Sequence, residues 1–145
     1  MTNSSDASSR DPPAGFSPIF RVSPVIEMIG PVYSRGEGLE LELGMYAQPK
    51  HCNMRGAVHG GILATLADMA LGYTLAFSSD PPAGFVTANL TVDYAGAAEV
   101  GDWLTTRTDV LRKGERLAFA NCYIHARGLR IVRASAVFIR QDSSK

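Results

Sequence analysis

Between residues 39 and 46 apolar and polar positions alternate. Leu39, Leu41, Leu43 and Met45 share one side; Glu40, Glu42, Gly44 and Tyr46 share the other. A period of two is that of a half-buried β-strand. Val32 to Ser34 is its expected partner, across a turn at Arg35-Gly36-Glu37-Gly38. Gln48 to Val58 has no period and contains Pro49 and Gly56, so it reads as a loop. The pattern then changes. From Gly60 to Phe77 the chain is apolar on every side and free of proline, which describes a buried helix, about 25 Å long at 1.5 Å per residue. Asp80-Pro81-Pro82 ends it. Four strand candidates follow. Val86, Ala88, Leu90, Val92 and Tyr94 alternate with Thr87, Asn89, Thr91 and Asp93; then come Trp103 to Leu111, Leu117 to Ala126 and Ile131 to Arg140. Lys113-Gly114-Glu115 and Arg127-Gly128-Leu129 are their turns, and the four are expected as a meander. Upstream, Ser17-Pro18 and Ser23-Pro24 each read as an N-cap followed by proline. They introduce one or two short helices, burying Ile19, Phe20, Val22, Val25, Ile26 and Ile29 and ending at Gly30-Pro31. Residues 1–15 have little to bury and read as a disordered tail. The order predicts one α+β domain over residues 16–145: an antiparallel sheet with one long central helix on a face.

Composition narrows the function. The chain has 145 residues, of which 46% are hydrophobic and 19% charged, enough apolar material for one packed core. Fourteen Lys/Arg balance fourteen Asp/Glu, so no overall basic field points to nucleic acid. The balance is uneven along the chain: residues 101–140 carry eight Lys/Arg against three Asp/Glu, which suits a small phosphorylated ligand or a solvated strand face. Met1 to Ser9 has neither a basic head nor an apolar stretch, so no secretory signal is read there. No uninterrupted apolar run is expected to span a membrane. Cys52 and Cys122 are too few for a disulfide framework. The expected setting is the cytoplasm.

Asp68 is the most informative residue. It lies mid-helix among Ala67, Met69, Ala70 and Leu71, and the helix holds no basic residue to pair with it. A carboxylate in such a place acts as a general base or holds a water, or it is a structural group bonded to backbone or to a neighbouring subunit. His59-Gly60-Gly61 opens the helix, where unpaired N–H groups and the helix dipole favour an oxygen that gains charge during reaction. Gly61 and Asp68 are seven residues apart, about 10 Å along the axis. One helix therefore cannot bring both to a single atom. Two copies packed antiparallel across a two-fold axis can. Asn53 has an amide able to donate to a carbonyl, or it is a turn residue. His51, Cys52 and His59 match no zinc spacing, so no metal is expected. No phosphate-binding glycine loop or serine nucleophile elbow occurs.

These residues resemble a known family. His51-Cys52-Asn53-Met54-Arg55-Gly56-Ala57-Val58-His59-Gly60-Gly61 followed by Leu66-Ala67-Asp68 is similar to the hotdog-fold acyl-CoA thioesterases, in the branch of the phenylacetate-pathway thioesterase and thioesterase superfamily member 2. The likeness runs from about Phe16 to Arg140. It implies a sheet wrapped around one central helix, no cofactor, and an acyl-CoA substrate cleaved to free acid and CoA. It implies that Asp68 activates water or attacks the thioester carbon. The Gly61 N–H would polarise the carbonyl with help from Asn53 and His59, and Thr87 would assist the water. Arg112, Lys113 and Arg116 would meet the CoA phosphates. The site would span a homodimer, itself expected to pair into a dimer of dimers. Tyr46, Met54, Met69, Tyr73 and Phe77 are candidates for an acyl pocket.

Three other readings compete. An acyl-CoA-binding sensor would share the fold without hydrolysis. A hotdog hydratase would need an Asp and His pair at a spacing the chain lacks. A purely structural dimer would leave Asp68 without a purpose.

Overall fold

The computed structural model describes residues 10–142. Its elements are β1 (Ser17–Pro18), α1 (Pro24–Ile29), β2 (Tyr33–Arg35), β3 (Glu42–Tyr46), α2 (Gly60–Phe77), β4 (Phe85–Tyr94), β5 (Trp103–Lys113), β6 (Leu117–Ala126) and β7 (Leu129–Arg140). The strands form one seven-stranded antiparallel sheet in the order β1-β2-β3-β5-β6-β7-β4. The expected α+β architecture is present.

Helix α2 follows the sequence pattern. Leu63, Leu66, Ala67, Ala70, Leu71 and Leu75 are buried against the sheet. They meet Leu43, Met45, Leu104, Ile124 and Phe138, all fully or nearly fully buried. Each such side chain contributes about 1.5–3 kcal/mol. Ile62, Met69, Tyr73, Ala76 and Phe77 form a second apolar stripe that stays partly exposed. By length and composition α2 could cross a membrane, contrary to the expectation that no run would suffice; its sheet-facing stripe belongs to the core instead.

Four expectations change. First, the last four strands are not a meander. β5, β6 and β7 are, but β4 lies beyond β7 at the sheet edge. The connection from residue 95 to residue 102 carries the chain back over the start of α2, where the Val58 N–H donates to the Ala98 carbonyl (2.9 Å). Periodicity reports which residues share a face, not which strands are neighbours. Second, Ser17-Pro18 starts a strand, not a helix, pairing with Ser34 and Tyr33. Only Ser23 caps a helix, accepting from the Ile26 N–H (3.3 Å). Ile19, Ile26 and Ile29 are buried as expected, whereas Phe20, Val22 and Val25 are exposed. Third, β3 is covered on both faces. Leu43 and Met45 face the core, while Gly44 and Tyr46 lie under Trp103, with the Tyr46 and Trp103 rings 4.7 Å apart. Fourth, residues 10–15 do not belong to a tail. Residues 1–9 lie outside the described residues, but residues 10–15 pack. Arg10 stacks on the Tyr46 ring at 4.3 Å, and the Tyr46 hydroxyl donates to the Asp11 carbonyl at 2.9 Å.

The β6–β7 turn is as the sequence indicates. Arg127 and Gly128 have φ of 53° and 74°, the paired left-handed conformation of a two-residue hairpin.

Gly44 supplies a test of the Trp103 cover. A Cβ placed there would lie 2.2 Å from the indole ring, so Gly44→Ala forces the ring off β3. Urea unfolding should show a loss of about 1–3 kcal/mol. An unchanged midpoint would mean that the Trp103 cluster does not anchor β3.

Candidate active site

The structure joins Asp68 to Thr87. The Thr87 hydroxyl donates to Asp68 Oδ1 at 2.6 Å, linking α2 to the edge strand. A strict alternation in β4 would forbid this contact. Leu90 and Val92 face the core, so Thr87, three residues before Leu90, should point to the opposite face. A β-bulge between Thr87 and Asn89 adds Ala88 as an extra residue and resets the alternation. Phe85 and Thr87 therefore share the helix-facing side with Leu90 and Val92. Re-aiming one side chain beside a site is what bulges commonly do. Asp68 itself is half-buried, not enclosed as its apolar neighbours suggested. Its far side opens onto a cleft of about 460 Å³ that runs along the exposed stripe of α2 past Met69, Gly72, Tyr73 and Phe77 to Phe85 and Phe138, with Arg21 also on its lining. Of the five acyl-pocket candidates, Met69, Tyr73 and Phe77 line this cleft. Tyr46 lies under Trp103, and Met54 is fully exposed on its loop.

The other half of the motif lies at the start of α2. His59 is the N-cap, and its Nδ1 accepts the Gly61 N–H at 2.8 Å. The N–H expected to meet a substrate carbonyl is thus occupied by imidazole in this structure. Gly60 is held from the other side. The Tyr94 hydroxyl donates to its carbonyl at 2.6 Å, and a Cβ on Gly60 would lie 3.0 Å from the Tyr94 ring. The two glycines therefore admit two different side chains, a contact the sequence alone did not indicate. Asn53 takes the turn role. Its Oδ1 accepts the backbone N–H groups of Arg55 (2.9 Å) and Ala57 (3.3 Å). Those bonds fix the amide with its NH₂ donors directed away from the loop's own backbone.

His51 supports this loop from below. It is 1% exposed. Nδ1 accepts the Gln48 N–H at 2.9 Å, so the proton is on Nε2, which donates to the Ile29 carbonyl at 2.6 Å. Burial lowers its pKa, against the opposing pull of the Ile29 carbonyl. The His59 N–H also donates to the His51 carbonyl (2.8 Å), so this residue ties α1 to the start of α2.

The three basic residues expected to act together do not form one group. Lys113 turns inward to the C-terminal end of α2, donating to Ser78 Oγ at 2.7 Å and to Ser79. Burial and the nearby Arg140 lower its pKa. Arg112 pairs with Phe119 on the opposite face of the sheet, past a bulge after Val110. Arg116 lines a surface cleft with Arg140, where Asp80, Glu115 and Asp142 also face in. The cysteines offer no reactive thiolate: burial raises Cys52 and pushes Cys122 up to about 12. Among the described residues no cluster of His, Cys, Asp and Glu could hold a metal ion.

The profile of the thioesterase superfamily matches residues 55–132, more than half of the chain. The chain belongs to the thioesterase superfamily. A Pseudomonas aeruginosa protein bearing an esterase name (PA0474) is 44% identical over 127 residues, covering 87% of this chain and 95% of that one. Mouse acyl-coenzyme A thioesterase 13 is 30% identical over 97 residues, 67% of each chain. Among solved structures, the PaaI protein of the E. coli phenylacetic acid degradation operon superposes with a TM-score of 0.76 at 19% identity, over 83% of this chain and 86% of that one. Zebrafish thioesterase superfamily member 2 superposes with 0.70 at 26%, over 76% and 81%. A Streptococcus pneumoniae thioesterase-family protein solved with coenzyme A gives 0.71 at 19%, over 76% of this chain and 85% of that one. The fold of this superfamily member is the hotdog: one sheet around one long helix.

His51 gives the site loop a pH dependence. Its neutral form is the one that fits, and its native pKa lies below 6.5. Below pH 6.5 the unfolded chain takes the proton first, so stability present above that pH is lost as pH falls toward the native pKa. In unfolding measurements the stability advantage of wild type over His51→Gln should shrink between pH 7.5 and about pH 5. A constant gap would show that His51 does not titrate across folding.

Proposed function

We propose that this chain hydrolyses acyl-CoA thioesters to free acid and CoA, in a site completed by a second copy of itself. One observation carries the reading: the Asp68 carboxylate, oriented by Thr87, is the one charged group on an otherwise apolar helix and opens onto the α2 cleft. The relatives' thioesterase names and the coenzyme A in the pneumococcal neighbour support the substrate class. Asp68, with Thr87 on its Oδ1, takes a proton from a water on the cleft side of its carboxylate. The water oxygen bonds to the thioester carbon, the C–S bond breaks, and the proton goes to the leaving sulfur. The Gly61 N–H and the Asn53 amide hold the carbonyl oxygen as it gains charge, after the His59 ring has swung off Gly61.

The edge strand supports the second copy. β4 is ten residues long and, among the described residues, is paired only with β7. A bare edge of that length is a template for another strand. Tyr94 at its far end is tied to Gly60, while Thr87 near its start is tied to Asp68. Within one chain Thr87 and Tyr94 are about 23 Å apart along the strand, and their partners Asp68 and Gly60 about 12 Å apart along the helix. Antiparallel pairing of β4 with its copy about a two-fold near the strand centre lays one chain's Thr87 end beside the partner's Tyr94 end. Asp68 and Thr87 of one chain then share a site with Asn53 and Gly61 of the other. The dimer is the unit this requires, and a dimer of dimers is compatible with it.

The binding-module reading has one observation in its favour, since His59 already satisfies the Gly61 N–H. Release of CoA thiol separates the two. On a panel from acetyl- to palmitoyl-CoA with aryl thioesters, wild type should turn over and Asp68→Asn should lose at least about a hundredfold. Thr87→Val should lose roughly tenfold, the value of one hydrogen bond to a charged group. Tight binding without turnover would leave the sensor reading in place. The shared site has its own test. Asp68→Asn and Asn53→Ala proteins, each nearly inert, should recover about a quarter of wild-type activity when their subunits are mixed, because half the dimers hold one intact site. No recovery would confine the site to one chain.

A further inference from the structure

Helix α2 contains a glycine that its fold does not ask for. Gly72 lies well inside the helix, has no left-handed φ, and is four residues from Asp68. Glycine is among the poorest helix formers, because it loses the most backbone freedom on folding. Packing within the chain does not require it either. A Cβ at Gly72 would meet Phe138 at 3.5 Å and 4.0 Å, ordinary contact distances, and nothing else within 4 Å. Gly60 and Gly44 differ in this respect: a Cβ there would press on Tyr94 at 3.0 Å and on Trp103 at 2.2 Å. The space beside Gly72 is the Asp68 cleft, whose walls there include Tyr73, Phe85 and Phe138. An alanine would stabilise the helix and fit its neighbours, so what it would lose is cleft volume.

The structure assigns to Gly72 the control of how wide an acyl group may be next to its carbonyl. This rests on the thioesterase reading, which puts the reacting carbonyl at Asp68. One helical turn, about 6 Å, separates Asp68 from Gly72. A methyl group at position 72 therefore falls on the first few atoms of the acyl group, ahead of any distal chain. Acyl groups that are broad at that point, ring-bearing or branched beside the carbonyl, need the glycine. Narrow straight chains do not.

The test is Gly72→Ala, with Gly72→Met as a second, good helix former that fills the space entirely. Thermal unfolding of Gly72→Ala should move up by about 3 °C. Its kcat/KM should fall roughly tenfold for cyclohexanecarbonyl- and benzoyl-CoA, and less than about twofold for acetyl- and butyryl-CoA. Gly72→Met should lose the broad substrates altogether and keep acetyl-CoA. Equal losses on every thioester, with weaker inhibition by free CoA, would place the pantetheine arm at Gly72 and overturn the assignment. Dissociation of the assembly in light scattering would make Gly72 a helix-crossing residue and overturn it too, as would a wild type that cleaves only narrow thioesters. If wild type cleaves none, the hydrolysis reading falls separately. The Gly72 assignment is then read from the same broad-against-narrow preference in the Kd of non-hydrolysable thioether analogues, and it fails if Gly72→Ala leaves that preference unchanged.

Discussion

Helix α2 has two apolar faces, and a single sheet can cover one. Leu63, Leu66, Ala70 and Leu71 disappear into the core, while Met69, Tyr73 and Phe77 remain partly exposed on the other side. In a chain of this size an apolar stripe left beside an unpaired edge strand is a surface that calls for a partner or a ligand. Phe20 meets part of the demand, with its ring edge-to-face with Phe77 at 4.9 Å and tilted against Tyr73 at 6.1 Å. Asp68 belongs to the same stripe. It lines the same cleft as Met69, Tyr73 and Phe77, so the reaction proposed for it would take place where the fold has left room.

That constraint explains how much could be read in advance. The extent of α2 was plain from composition, since eighteen residues with one charge and no proline admit few other structures. β6 occupies the residues expected for it, between its two turns. The strand order was not plain. Whether β4 joins β5 or β7 depends on the path of residues 95–102 across the start of α2, and that path is set by backbone bonds such as Val58 to Ala98, which leave no periodic trace. The N-terminal segment misled for a related reason. Ser-Pro favours both a helix start and an edge strand, and the neighbouring β2 decided between them.

The site divides in the same way. Asp68 was legible because a lone carboxylate among alanines and leucines has no ordinary purpose. Thr87 came from family likeness, and the periodicity of β4 argued against it. The Ala88 bulge reconciles the two, and a bulge has no reliable signature in a single sequence. Lys113 shows the converse. A basic residue in a turn reads as a ligand for phosphate, yet the chain uses its charge at the C-terminal end of α2, where the helix dipole and two serines receive it. Gly72 was invisible as a functional position because glycine is informative only when the space beside it is known.

The His59 contact bears on how the N-terminus of α2 could assist a reaction. An empty N–H would hold a neutral thioester oxygen and, about twice as strongly, the charged oxygen that forms from it. Here the Gly61 N–H already has a neutral acceptor at 2.8 Å. Exchanging imidazole nitrogen for a neutral thioester oxygen replaces one hydrogen bond with another of similar strength, and gains little. Exchanging it for an oxygen bearing negative charge replaces a neutral bond with a charge-assisted one, about twice as strong. The cap would cost both states the same amount, raising KM and leaving the difference between the two oxygens intact. In the proposed hydrolysis His59 would therefore tune how tightly the thioester is held, while the preference of the Gly61 N–H for a charged oxygen would act on the chemical step.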